Sequence, residues 1–430
     1  MSGLGRLIEA LPGYTALLRS QYWPAEKLES YRVQQLEKTF RAASKIPFYA
    51  RRFGAMQHPD ELQKIPVLKR PEVEPLCLSV RSLYPPGTSF VSERSSGTSG
   101  VAVTLLFDTS HQAGRNAARI RFLRANRWNP LRSSVWLMAS SLVTERNPDY
   151  QGLGELIRWF SSVLGVKFLL TTMPFREQVD SLEKLKPTSV YAFPHSVDGI
   201  LRTLEETGQS LPSLRLLMCG GEAVDESLRE RTRRQLGLEL RDNYGSTEAF
   251  LAFQCPAGSY HINAEHVLLE VVDEAGSACA AGQMGRVLVT TLQNYLMPLV
   301  RYEIGDYAVA AQGACACGRT LPLLGQVVGR KVNLFRRPDG SLMSGWSAVG
   351  TLRNLRNLKT FQLVQKSNLR FCVRYVADRP LTREDEAAVR SKFRNDLWDL
   401  VEVTFEQVTH IERAPSGKFM LTSCEVPVSQ

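Results

Sequence analysis

Asn243-Tyr244-Gly245-Ser246-Thr247-Glu248 and, upstream, Ser95-Ser96-Gly97-Thr98-Ser99-Gly100 are the two stretches that decide how this chain is read. They stand roughly a domain's length apart. The upstream run offers hydroxyls and glycine-freed backbone amides, the donors that a phosphate chain requires. The downstream run sets an aromatic ring beside a hydroxyl and a carboxylate. Each is weak alone, because Ser/Thr/Gly clusters are commonly solvated turns. A kinase- or ATPase-type P-loop is disfavoured, since the run continues Gly100-Val101-Ala102 with no Lys-Ser or Lys-Thr pair to close it. Together the two turns point to a nucleotide site that holds phosphate in another way.

Between them, short apolar strands alternate with helical runs: Val135-Trp136-Leu137-Met138, Lys167-Phe168-Leu169-Leu170, Val190-Tyr191-Ala192-Phe193 and Leu214-Arg215-Leu216-Leu217-Met218. That alternation predicts a mixed α/β domain with parallel strands, and ligands belong in the loops that follow them. From Glu239 to Val328 the chain turns strand-rich, with period-two segments over 266–272 and 285–291 and a turn at Asp273, Glu274 and Gly276. This reads as a distorted β-subdomain at about 239–328. Upstream, residues to about Leu83 form a helical lead-in, with Leu36, Phe40, Ala43 and Ile46 at helical spacing until Pro47 ends the pattern. Residues 111–126 read as a further helix whose basic face is expected in solvent. Beyond Arg330 lies a unit of about 100 residues, with strands at 360–364, 370–375 and 401–407 and a helix over 383–397. The expectation is an α/β protein with a large N-terminal domain over 1–330, a small α+β C-terminal domain over 331–430, and a hinge near Lys331.

The 430 residues, 43% of them hydrophobic, suffice for more than one core. No apolar run approaches the roughly 20 residues that cross a bilayer, and residues 1–22 lack a leader pattern, so a cytoplasmic location is the default. The formal charge of +10 is dispersed. Without a recognisable nucleic-acid module it could equally attract a small phosphorylated ligand or an acidic protein partner, and nucleic acid is not expected. Cys77, Cys219, Cys279, Cys372 and Cys424 show no framework spacing, as in a reducing compartment. Cys255, His261, Cys315 and Cys317 are different: three thiols and one imidazole suit a closed, tetrahedral, structural Zn²⁺, although the Cys-x-Cys gap is short for one. Buried reduced thiols around a packing histidine are the alternative.

Three more pieces follow in order: Arg301-Tyr302-Glu303-Ile304-Gly305-Asp306, Gly329-Arg330 and Ser416-Gly417-Lys418. Tyr31-Arg32, Ile46-Pro47-Phe48-Tyr49, Ile65-Pro66-Val67-Leu68-Lys69, Lys186-Pro187 and Gly220-Gly221-Glu222 extend the series. With these, nearly the whole chain resembles the adenylate-forming (AMP-binding, acyl-CoA synthetase) superfamily, and within it the phenylacetate-CoA ligase-like branch that includes capsular-polysaccharide-associated proteins. The resemblance implies that Ser95 to Gly100 wrap the β- and γ-phosphates of ATP. Gly220, Gly221 and Glu222 border the adenine, with Tyr244 on its face within the Asn243-to-Ser246 turn. Thr247 meets the α-phosphate and Glu248 holds Mg²⁺. Asp306 accepts the ribose hydroxyls, Arg330 also contacts ribose, and Lys418 reaches the reacting carboxylate when the small, mobile domain closes. Arg301 is open between a ligand contact and an internal ion pair. Phe193 and His195, at a strand end, are candidates for the acyl pocket, a packing role being the alternative for His195.

The resemblance therefore implies ATP-dependent activation of a carboxylic acid as acyl-AMP, with release of pyrophosphate and transfer to an acceptor: a thiol of CoA or of a phosphopantetheine carrier protein, or an amine. A zinc-stabilised binding protein without turnover is the reading from another class. Two departures matter. Val101 follows Gly100 where family loops often carry lysine, and the junction Gly329-Arg330-Lys331-Val332-Asn333 lacks the acidic hinge pair of true phenylacetate ligases. Arg337-Pro338-Asp339-Gly340 then replaces the segment usual in aryl-CoA ligases, which favours the capsular-associated side.

Overall fold

The structure is a computed structural model that describes residues 14–53, 59–95, 102–138, 165–353, 355, 358–398, 400–412 and 420–426. Helix α1 (Ala25–Ala43) follows Pro24 and buries Leu28, Leu36, Phe40 and Ala43 on one face. Pro47 ends that pattern as expected and is also the first residue of α2 (Pro47–Phe53). The two roles agree, because proline's fixed φ suits the first helical position, where its missing N–H has no intrahelical partner to lose. Helix α3 (Val73–Arg81) completes the lead-in, and the hairpin β1 (Val91–Arg94) and β2 (Thr104–Phe107) flanks the Ser/Gly run.

One sheet of eleven strands organises the larger part. Its parallel half contains β3 (Ser134–Met138), β4 (Lys167–Leu170), β5 (Ser189–Ala192), β6 (Leu216–Gly220) and β7 (Leu240–Gly245), in the order β4-β3-β5-β6-β7. Because β4 and β5 lie on opposite sides of β3, the strand order reverses there, and the loops after β5, β6 and β7 open on one edge. The strand-rich region continues the sheet from β7. It comprises β8 (Phe250–Gln254), β9 (Tyr260–Ile262), β10 (Val267–Val272), β11 (Met284–Thr291), β12 (Tyr302–Ala310) and β13 (Leu323–Arg330), all antiparallel, in the order β8-β9-β13-β12-β11-β10. Register shifts in β11/β12 and β12/β13 distort this half and bring Asp306 opposite Arg330.

Helix α4 (Thr109–Ala125) is capped by Asp108, whose Oδ1 accepts from His111 N at 2.7 Å. Its basic residues are not all solvated, contrary to expectation: Arg124 is exposed, but Arg115 and Arg121 are 3% and 1% exposed. Each meets a buried carboxylate, Glu93 for Arg115 and Glu265 for Arg121. Helical spacing reports which side chains share a face, and it is blind to acids on strands far away in sequence. Amphipathic α5 (Phe175–Leu185) and α6 (Pro194–Thr207) and the arginine-rich α7 (Glu226–Leu236) form the α/β crossovers.

The smaller part has its own core around Phe335, Phe361, Phe371 and Phe393. A short hairpin, β14 (Leu334–Arg336) and β15 (Leu342–Ser344), leads to α8 (Trp346–Arg353). A four-stranded sheet follows, built from β16 (Thr360–Gln365), β17 (Arg370–Val376), β18 (Glu402–Gln407) and β19 (Thr422–Cys424) in the order β18-β17-β16-β19. Helix α9 (Arg383–Asp396), with a Thr382–Asp385 capping box, lies between β17 and β18 in sequence. The fold is thus a large mixed α/β domain with an extensive sheet plus a smaller C-terminal α+β domain. Among the described residues no helix is long and apolar enough to cross a membrane.

Candidate nucleotide and metal sites

A cavity of about 110 Å³ opens where the loops after β5, β6 and β7 meet the β12/β13 hairpin; its walls include Gly221, Glu222, Tyr244, Gly245, Asp306 and Arg330. Met420, Leu421 and Thr422 of the smaller part close one side. Two glycines set the floor. A Cβ on Gly220 would lie 2.5 Å from Asn243 Nδ2 and 2.6 Å from the Tyr191 hydroxyl. At Gly221 (φ +84°) it would lie 2.7 Å from the Phe193 ring, so close approach and left-handed backbone both exclude a side chain there.

Tyr244 is pinned by its hydroxyl, which donates to Asp306 Oδ2 at 2.7 Å. The other oxygen, Oδ1, pairs with Arg330 Nε at 2.9 Å. An ionised carboxylate offers about four lone-pair sites, so two acceptor sites of Asp306 stay open. Burial and the Asp306 charge hold the Tyr244 phenol protonated, far above its ordinary range, and the same carboxylate raises the Arg330 guanidinium further. Asn243, which also lines the cavity, donates through Nδ2 to Cys219 O at 2.8 Å and the Tyr191 hydroxyl at 3.0 Å.

The Ser246-Thr247-Glu248 turn is closed by Ser246 N on Ala249 O at 2.9 Å. Two residues missed in the sequence hold it from behind. Arg115 Nη1 donates to Thr247 O at 2.8 Å, and His111 Nε2 lies 3.0 Å from Glu248 O while its ring stacks on Phe107. Burial first, then the Arg115 charge, depresses His111 to about 3, so it is neutral at physiological pH. No local motif marks these supports.

Ser95 is described and buried; Ser96, Gly97, Thr98, Ser99 and Gly100 lie outside the described residues, as does Lys418. His195 is held by Glu222, Nδ1 to Oε1 at 2.8 Å, with its backbone N on Oε2 at 3.1 Å. Phe193 stacks on its ring with centroids 5.7 Å apart. Arg301 resolves toward the ion pair. With φ +47° it is buried against Glu270 at 3.3 Å, and its Nη1 donates to Gln63 O and Ile65 O at 2.7 and 3.0 Å.

At the far end of the antiparallel half, the donor atoms of Cys255, His261, Cys315 and Cys317 all lie within 4.8 Å of one another. Cys255 Sγ and Cys315 Sγ are 3.6 Å apart, too far for a disulfide, and Cys317 Sγ is 3.3 Å from His261 Nε2. Four ligands at Zn–S and Zn–N lengths of about 2.0–2.3 Å around a tetrahedral ion stand roughly 3.3–3.8 Å apart. The donor set therefore fits zinc in type, and the Cys255–Cys315 and Cys317–His261 pairs fit it in spacing. His261 sits on β9, whose partner β13 follows the Cys315/Cys317 turn, so topology brings the four together.

The AMP-binding enzyme family model matches residues 154–297. A phenylacetate-coenzyme A ligase of Thermus thermophilus is 31% identical over 36% of this chain and 36% of its own length, so that match spans about a third of the relative. A phenylacetate-coenzyme A ligase of Escherichia coli is 24% identical over 72% of each chain. Among solved structures, a 2-hydroxyisobutyryl-CoA ligase in the postadenylation state superposes with a TM-score of 0.72 at 17% identity, covering 96% of this chain and 93% of that one. The same ligase in an open conformation gives 0.61 at 18% identity, covering 96% and 95%. The AMP-binding enzyme model thus matches about a third of the chain, the curated relatives it resembles are phenylacetate-coenzyme A ligases, and the solved ligase structures share its fold.

Proposed function

We propose that this protein is an adenylate-forming ligase, which activates a carboxylic acid with ATP as acyl-AMP and passes the acyl group to a thiol, that of CoA or of a phosphopantetheine carrier. The observation that carries the reading is the Tyr244–Asp306–Arg330 constellation at the mouth of the β6 and β7 loops. An apolar ring face lies there beside a carboxylate with free acceptor sites, as adenosine requires. Thr247 and Glu248 then face the phosphates, on a turn held from behind by Arg115 and His111. Glu248 is the hard-oxygen ligand for Mg²⁺, which would neutralise phosphate charge. The relatives named above are described as CoA ligases, which favours a thiol acceptor. The absent acidic hinge pair and the Arg337-Pro338-Asp339-Gly340 segment favour the capsular-associated side of the branch, and on this reading 1–330 form the large domain and 331–430 the lid. Pyrophosphate exchange into ATP, run with a panel of aryl, fatty and amino acids, tests the reading. Exchange with at least one acid is expected, and silence across the panel with intact protein sinks it.

We also propose that Cys255, His261, Cys315 and Cys317 hold a structural Zn²⁺ that clamps the β12/β13 turn to β9. A metal present at 100 times its dissociation constant adds about 2.7 kcal/mol. At 2–4 °C per kcal/mol for domains of 150–250 residues, chelation lowers the melting temperature by roughly 5 °C or more. Cys315→Ser should melt at the chelated value and respond no further to chelator. One equivalent of zinc by elemental analysis is expected, and its absence from protein purified without chelator overturns the assignment.

A further inference from the structure

The segment Ile65-Pro66-Val67-Leu68-Lys69-Arg70 lines no part of the adenosine cavity, yet it is stitched to the strand that carries Asp306. Leu68 N donates to Arg301 O at 3.0 Å, and Glu303 N donates to Leu68 O at 2.9 Å. Glu72 closes the turn by accepting from Lys69 N at 2.7 Å and is held in turn by Arg52. From this anchored backbone the Arg70 guanidinium donates through Nη2 to Ser95 Oγ and through Nη1 to the Tyr302 hydroxyl at 3.4 Å. Ser95 opens the Ser/Gly run, and the Tyr302 hydroxyl lies within the electrostatic reach of Glu248 and Arg330. Arg70 therefore ties the first residue of the run to Tyr302 on the strand that carries Asp306.

Arg70 also walls a second cavity, of about 330 Å³, together with Lys69, Lys331 and Arg336. The one carboxylate in its lining, Glu303, pairs with Arg286 at 3.3 Å. Arg336 Nε is buried with no hydrogen-bond partner among the described residues, so a donor awaits an acceptor there. Four cations around one committed acid attract an anion of more than one charge.

We propose that this cleft is a diphosphate site, in which Arg70 holds the β,γ end of ATP and then the departing pyrophosphate. The inference rests on the adenylation reading. The run from Ser95 to Val101 contains no cation, so its hydroxyls and amides leave the triphosphate charge unanswered, and Arg70 supplies what they lack. In the transfer step an oxygen of the acid carboxylate forms a bond to the α-phosphorus as the bond from that phosphorus to the β-bridging oxygen breaks. The bridging oxygen leaves with the electron pair as pyrophosphate, and no proton moves. A cation fixed at that leaving group is stabilising where charge develops. The diphosphate of a nucleotide-tailed thiol shares this chemistry, but the bond from Arg70 to the first residue of the run favours the triphosphate.

Calorimetric binding of Mg-ATP, pyrophosphate and AMP to wild type, Arg70→Ala and Arg70→Lys tests this. A hydrogen bond to a charged group contributes about 1.5–3 kcal/mol, so Arg70→Ala should weaken ATP and pyrophosphate by about ten- to a hundredfold while AMP changes less than about twofold. Arg70→Lys should recover part of the loss, and KM for pyrophosphate in exchange should rise with little change in KM for the acid. Equal weakening of AMP and ATP, or an effect confined to KM for the thiol, overturns the proposal. If Arg70→Ala loses its melting transition, Arg336→Gln probes the same cleft, with weaker pyrophosphate binding expected and unchanged binding counting against it. Wild-type exchange with an unmoved pyrophosphate KM in the variants sinks the Arg70 assignment alone. Wild type that binds neither ATP nor AMP sinks the adenylation reading itself.

Discussion

Replacing Lys418 by alanine should slow adenylation by about 10²–10³, the scale lost with one preorganised charge-stabilising group, while thioester formation from a supplied acyl adenylate falls far less. The position of its neighbours makes this expectation specific. Met420 to Thr422 line the adenosine cavity, and Thr422 is fixed there by Oγ1 on Asn333 O at 2.8 Å and by strand β19 beside β16. Lys418 precedes Met420 by two positions in the sequence. On the proposed reading, that lysine would meet the carboxylate and α-phosphate in one pose of the small domain and leave them in another. Separate assays of the two half-reactions decide the matter, and an equal loss in both would count against a lid that changes pose.

Such a rotation has a structural cost that shows in the interface. Arg353 on α8 is 2% exposed and pairs with Asp225 and, at 3.5 Å, with Asp198 of the large domain. Arg202 Nη1 donates to Leu358 O at 2.7 Å and Arg231 Nη2 to Arg353 O at 3.1 Å. Any hinge near Lys331 must break these buried contacts or leave α8 behind. Burial alone would raise the Asp198 carboxyl, yet Arg353, Arg202 and Arg231 together hold it below the usual range, so the contacts persist as ion pairs at neutral pH.

How much of this was legible in the chain depends on whether the signal is local. The strands at 134–138 and 189–192 announced themselves because parallel strands buried among their neighbours are short apolar runs, and the edge strand at 167–170, though partly exposed, carries the same kind of run. The Asn243-to-Glu248 turn and Asp306 were marked by motif order, although nothing local says that the Tyr244 hydroxyl and Asp306 meet. The cysteine set was readable from ligand chemistry, and the fold supplied its convergence through β9 and β13. The supports were not legible. Arg115, His111 and Arg70 act on residues 132, 137 and 25 positions away, and an arginine on a helix face looks the same whether it faces water or a distant acid. The error about the 111–126 helix has this cause. Charged side chains of that helix point inward as well as outward, and only the partners Glu93 and Glu265 make the burial tolerable.

That burial gives the second large expectation, Arg121→Met. Arg121 Nη1 donates to Glu265 Oε1 at 2.7 Å and Nη2 to Oε2 at 3.1 Å; Asn263 accepts from it as well, and its guanidinium lies 5.1 Å from the Phe253 ring centroid. Methionine matches the stem but leaves Glu265, 2% exposed, as an uncompensated buried charge. Removing one partner of a buried pair costs about 3–5 kcal/mol. The pH dependence gives the mechanism away. Burial alone raises the Glu265 carboxyl, but in the wild type Arg121 overrides it and holds the group below its ordinary value. A depressed acid contributes stability above its unfolded pKa and loses that contribution as pH falls through the folded value. In the variant the sign reverses: burial is unopposed, the folded pKa rises, and stability is lost as pH climbs past the ordinary carboxylate range. The gap between wild type and Arg121→Met, read from denaturant midpoints, should therefore be widest at neutral pH and narrow toward pH 4.5, near the ordinary glutamate pKa. Adding Glu265→Gln to Arg121→Met should restore much of the loss at neutral pH, whereas a gap that stays constant across that range would mean that lost packing, and not the stranded carboxylate, sets the cost.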